Sequence, residues 1–96
     1  MGRQVIWSPR SLADLKSIHD FISKDSFKYA THTTGKIVTI VEGIPAFPML
    51  GRSVPEFGLP NIRERIFASY RIVYRITNTA IEVLTVHHSS RLLTEV

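Results

Sequence analysis

Apolar residues recur along the first half of the chain with a helical period and along the last third with a period of two. Leu12, Leu15, Ile18 or His19, and Ile22 are three or four residues apart, which predicts an amphipathic helix from Pro9 to about Ser23. Ser8 can cap its free backbone N–H groups, and Pro9 suits the first helical position because it has no N–H to lose. Gln4 to Trp7 reads as a short strand ahead of it. Lys24-Asp25-Ser26 is a break, with Ser26 as a second cap. Ala30, Thr34, Ile37, Val41 and Ile44 then lie on one stripe, predicting a longer second helix antiparallel to the first. Intrinsic propensity opposes this, since Thr31-His32-Thr33-Thr34-Gly35 is a poor helix former and Ile37 to Val41 favours strand. The periodicity covers the whole segment, so helix is the reading.

From Gly43 to Pro60 the chain is punctuated by Pro45, Pro48, Gly51, Pro55 and Gly58, which reads as a long ordered connection. Asn61 to Phe67, Tyr70 to Thr77 and Ala80 to His87 then alternate as three strands, with loops at Phe67-Ala68-Ser69 and Asn78-Thr79. The expected fold class is α+β. A short N-terminal strand and a two-helix antiparallel hairpin precede a three-stranded antiparallel meander, with the helices on one face of the sheet.

Register sorts the meander into two faces. A three-residue loop at 67–69 sets Ile66 opposite Tyr70, and a two-residue loop at Asn78-Thr79 sets Ile76 opposite Ile81. Ile62, Ile66, Tyr70, Ile72, Tyr74, Ile76, Val83, Thr85 and His87 then face the helices, with Glu64 as the misfit. Arg63, Arg65, Arg71 and Arg75 fall on the other face with Glu82, His88, Val73, Leu84 and Val86. Four arginines and no lysine across 61–77 suit carboxylate or phosphate recognition better than plain solubility.

Composition narrows the setting. The chain has 96 residues, enough for one domain spanning 1–96, and 44% of them are hydrophobic. It has no cysteine, so disulfide and Cys–zinc frameworks are excluded and a reducing cytoplasm is permitted. The opening Met1 to Trp7 lacks an apolar core for a signal peptide, and no apolar run approaches the roughly 20 residues that span a bilayer. No membrane association is expected. A net charge of +4 favours an anionic partner, nucleic acid or acidic protein. His87 and His88 are adjacent on a strand and point opposite ways, so they do not form a chelating pair. Neither a metal nor a cofactor is expected.

The same residues resemble a known family. Val5-Ile6-Trp7-Ser8-Pro9 followed by Ala13-Asp14-Leu15 is similar to the start of ParE-like toxins. Pro48-Met49-Leu50-Gly51-Arg52 with Pro55-Glu56 resembles the family's Pro-x-x-Gly-Arg turn. Ile62-Arg63-Glu64 leading to Tyr70-Arg71-Ile72-Val73-Tyr74-Arg75-Ile76 resembles its signature strand pair, and Ile81 to Val86 with His88 and Arg91 its closing strand. The likeness runs from Val5 to about Leu93 and places the chain in the RelE/ParE superfamily, in its ParE-like branch.

That resemblance implies the toxin half of a type II toxin–antitoxin pair, linked to plasmid stabilization and growth inhibition. A cognate antitoxin would neutralise it and carry its contact with operator DNA. Two activities share this fold, so fold does not decide between them. ParE-like members poison DNA gyrase, the preferred expectation here, with Arg63, Arg65, Arg71, Arg75 and Arg91 as target contacts. RelE-like members cut messenger RNA on the ribosome without metal. That chemistry needs a base, an acid and cations for the phosphorane. Arg65, Arg71 and His88 are the catalytic candidates, with Glu56 as a possible helper. Arg71 matches the arginine of the RelE-like Tyr-Arg-x-Val-Tyr strand that contacts substrate phosphate. Several RelE-like nucleases carry a C-terminal tyrosine that Ser89 to Val96 lacks, which favours the gyrase reading. A third reading is a degenerate member kept as a DNA-bound autoregulator with its antitoxin. The antitoxin is expected to cover Val73, Leu84 and Val86 or the outside of the helix hairpin.

Overall fold

Strand β1 (Gln4–Trp7) leads into helix α1 (Pro9–Ser23) and helix α2 (Phe27–Gly43). Two short 3₁₀ turns, Ile44–Ala46 and Pro48–Leu50, are followed by β2 (Arg52–Ser53), β3 (Ile62–Phe67), β4 (Tyr70–Ile76) and β5 (Ala80–His88). This computed structural model describes residues 2–90 and 93. The sheet order is β1-β5-β4-β3-β2, with β1 parallel to β5 and the other neighbours antiparallel. The α+β architecture is the expected one, with β2 as an added edge strand.

Both helix starts are capped as the sequence predicts. The Ser8 and Ser26 side chains accept hydrogen bonds from the Ser11 and Tyr29 N–H groups at 3.0 and 3.1 Å. The second segment is helical despite its β-branched residues because Ala30, Thr33, Ile37 and Val41 bury one face. Burial outweighs the few tenths of a kcal/mol per residue by which propensity opposes the helix. Ile37, Val41 and Ile44 pack with Ile72, Tyr74, Ile81, Val83 and Val86 to form the main core between helices and sheet.

The register differs from expectation at two places. The β3–β4 turn has two residues, not three, so Phe67 pairs with Tyr70 and Ile66 with Arg71. Ala68 adopts φ 52°, the left-handed conformation such turns require and for which glycine is the usual residue. This one-residue change exchanges the faces of β3. Arg63 and Arg65 pair with Tyr74 and Ile72 on the helix side, while Ile62, Glu64 and Ile66 turn to the far side.

The second departure is a bulge in β5. Val73 pairs with Thr85 but Tyr74 with Val83, leaving Leu84 as the extra residue. The bulge is held from α1. Ser8 Oγ donates to the Leu84 carbonyl at 3.0 Å, and Asp14 Oδ2 accepts from Thr85 Oγ1 and the Val86 N–H at 2.5 and 3.1 Å. These bonds satisfy backbone groups that the ladder leaves open. Beyond the bulge, Val86 pairs with Ile72 and enters the main core, and His88 pairs with Tyr70. His87 pairs with Arg71 on the far side. The expected facing of Val86, His87 and His88 is therefore reversed, whereas the Asn78-Thr79 turn sets Ile76 opposite Ile81 as predicted.

Candidate functional site

The far side of the sheet is not an open basic face. It carries a second, smaller core of Val54, Ile62, Val73 and Leu93, flanked by Phe57 and Leu84. Val54 and Phe57 from the connection after β2, together with Leu93, cover this core, and Val73 is fully buried in it. Beside it lies a cluster of four charged side chains. Arg71 donates from Nη1 and Nη2 to both carboxylate oxygens of Glu56, at 2.6 and 2.7 Å, and from Nε to Glu64 Oε1 at 2.6 Å. Arg52 Nε donates to the other Glu64 oxygen at 2.5 Å, and the Leu93 N–H donates to Glu56 at 3.1 Å. The Glu64 side chain is fully buried and that of Arg71 is only 7% exposed.

Two arginines and two glutamates balance in charge, and the fork of Arg71 is engaged on all three nitrogens. The hydrogen bond from Arg71, with further help from the Leu93 N–H and against the cost of burial, holds the Glu56 carboxyl down at about 2. The same contact with Glu56, reinforced by Glu64, pushes Arg71 above its ordinary value. On the helix side, burial raises the Tyr74 phenol, whose hydroxyl donates to the Pro48 carbonyl at 2.7 Å.

The structure separates the residues that the sequence pattern grouped. Arg71 lies on the far side, locked between carboxylates. Arg65 is on the helix side with no ion pair among the described residues. Arg63, also on that side, donates to the carbonyls of Pro60 and Gly51 at 2.9 Å. Arg75 pairs across strands with Glu82 at 3.2 Å, as expected. His88 is exposed, meets Tyr70 edge-on at 5.8 Å between ring centres, and has Nδ1 2.7 Å from Ser90 Oγ. The four arginines thus do not form one surface, and Arg65, Arg71 and His88 do not form one constellation. Of the three apolar residues expected to meet the antitoxin, Val73 and Val86 are core and only Leu84 is half-buried. Arg91 lies outside the described residues.

Sequence reasoning missed the cluster of Glu56, Glu64, Arg52 and Arg71. The signal was present in Glu64, the one carboxylate that fitted no apolar face. A charge alternating into a strand's buried set implies a partner of opposite sign, and Arg71 lies seven residues on.

Residues 5–93 match the family described as the ParE toxin of the type II toxin–antitoxin system parDE. The chain belongs to the ParE toxin family. It is the toxin of a type II pair, and a cognate antitoxin is its partner. Toxin RelE2 of Caulobacter vibrioides is 28% identical over 90 residues, covering 93% of this chain and 98% of that one. Among solved structures, the chromosomal ParDE system of P. aeruginosa superposes with a TM-score of 0.75 at 19% identity, over 90% of this chain and 95% of that one. The YoeB dimer of Staphylococcus aureus reaches 0.61 at 18% identity with the same coverage. The shared fold places the ParE helix hairpin over the sheet, and no helix among the described residues is long and apolar enough to cross a membrane.

The Glu56 contact makes the stability of this ParE toxin sensitive to acid. Its folded value of about 2 lies below the ordinary 4.5, so the stabilisation is fully present above about pH 4.5 and is lost as pH falls towards 2. Thermal melting across this range should show a plateau at higher pH and a decline below it, and Glu56→Gln should flatten part of the decline. An equally steep decline in the variant would assign the acid sensitivity to other groups.

Proposed function

We propose that this toxin arrests growth by binding DNA gyrase in the cytoplasm and not by cutting RNA. The observation that supports this reading is the engagement of Arg71. A phosphate could reach that guanidinium only by displacing the buried Glu64 and the half-buried Glu56, and these carboxylates would then lack their main partner. Within β3 and β4, the cations open to a target include Arg65, which makes no ion pair among the described residues, and the half-exposed Arg75. We assign Arg65 to the gyrase contact, with Arg63 on the same side of the sheet, and keep Arg75 and Arg91 as separate candidate contacts. Operator DNA is reached through the antitoxin.

A nuclease reading draws on the likeness to RelE2 and YoeB. It would have to use Arg65 with His88 and Tyr70, which share the helix side of the sheet.

Purified toxin is expected to inhibit gyrase supercoiling and to trap cleaved DNA, while leaving a defined messenger intact on translating ribosomes. Arg65→Ala should weaken gyrase inhibition by about tenfold, the effect of removing one well-placed charged contact. His88→Ala should leave it unchanged. Messenger cleavage that disappears with His88→Ala, alongside normal supercoiling, would replace the gyrase reading with the nuclease one.

A further inference from the structure

The connection between α2 and β3 carries an apolar patch that the fold does not use. Phe47, Met49 and Leu50 are 69%, 59% and 67% exposed, all on or beside the second 3₁₀ turn. Their backbone is nevertheless tightly held. The Phe47 N–H donates to the Ile44 carbonyl and the Leu50 N–H to that of Phe47, both at 3.0 Å. Tyr74 Oη donates to Pro48, and Arg63 Nη1 donates to Gly51. Ile44, at the head of this segment, is anchored in the main core. Three large apolar side chains are thus kept in water on ordered backbone, which costs solvation and leaves little conformational entropy to lose on binding.

The segment that carries the patch is flanked by arginines, and the exposed Glu42 lies before it at the end of α2. No acidic residue occurs between Gly43 and Pro55. The nearest carboxylates in sequence beyond it, Glu56 and Glu64, both point into the Arg71 cluster. Arg52 directly follows Gly51 and its side chain is 62% exposed, with Nε on Glu64. Arg63 lies on the other flank, against the carbonyls of this turn.

We propose that Phe47, Met49 and Leu50, rimmed by Arg52 and Arg63, form a docking surface for the cognate antitoxin. The antitoxin segment that fits is acidic and apolar, its large side chains meeting the triad and its carboxylates meeting the arginine rim. The net charge of +4 on the toxin points to the same partner chemistry. This assignment rests on membership of the toxin family and is independent of whether the target is gyrase or messenger RNA.

The test is the double variant Met49→Glu, Leu50→Glu, whose positions lie outside both cores. Co-expressed with the antitoxin, it should still arrest growth, and purified it should bind the antitoxin about a hundredfold more weakly than the parent toxin. Circular dichroism and melting should match the parent. Binding of the parent should weaken as salt rises, because the Arg52 side chain on the rim is exposed. Unchanged antitoxin affinity in the folded double variant overturns the proposal. So does loss of growth arrest with antitoxin binding retained, which would give this surface to the target.

Discussion

Arg71→Met lowers the unfolding free energy by about 3–5 kcal/mol, the cost of leaving buried carboxylates without their cation. The expectation follows from geometry. Glu64 is fully buried and Glu56 half-buried, and Arg71 supplies three of the hydrogen bonds that compensate their desolvation. Urea unfolding of the parent and variant measures the effect directly. Adding Glu56→Gln and Glu64→Gln to Arg71→Met should recover part of the loss, because neutral amides are cheaper to bury than unpaired charges. A single variant within about 1 kcal/mol of the parent would mean that water or a neighbour takes over the role of Arg71. The experiment also bears on function. Loss of toxicity in Arg71→Met alone does not identify a functional arginine, whereas persistent loss in a folded, stable triple variant would place binding or catalysis at this cluster.

A second large effect is expected at Gly51, where the connection passes against the sheet. A Cβ there would collide with Tyr74 Oη and lie 2.7 Å from the Glu64 carbonyl oxygen. That oxygen belongs to the β3 backbone and cannot move without disturbing the ladder. Gly51→Ala should therefore destabilise the protein by about 1–3 kcal/mol, as overpacking does. It should also break the Tyr74–Pro48 hydrogen bond, a change that ultraviolet titration of the tyrosines would register as a lower phenol value. Gly35 is the natural control. It sits in α2 with open space around its Cα, so Gly35→Ala should stabilise by about 1 kcal/mol through helix propensity. Equal effects at the two positions would remove the steric argument.

Local chemistry made most of the fold legible in the sequence. Ser8 with Pro9, and Ser26, marked the helix starts because caps and proline act within a few residues. The stripe of Ile37, Val41 and Ile44 prevailed over unfavourable propensity because burying those side chains is worth more than the propensity costs. Register was not legible. The β3–β4 turn uses Ala68 at a positive φ, with no glycine or asparagine to announce it, and one residue of slip exchanged the faces of Arg63, Arg65 and Glu64. The Leu84 bulge depends on Ser8 and Asp14, which lie 76 and 72 residues from the groups they bond, so no local pattern could reveal it. Together these shifts turned an expected row of arginines into one buried cluster and separate side chains elsewhere. The candidate site was therefore legible in its residue types but not in its assembly.

The parallel pairing of β1 with β5 bears on how the toxin comes into being. Gln4 pairs with Ala80, far along the chain from it. The chain must be synthesised through β5 before the opening strand has anything to bond to, and until then nothing joins that strand to β4. The sheet edge formed by β1 is therefore among the last parts of the fold to close, and it closes on a strand that already carries the bulge held by α1.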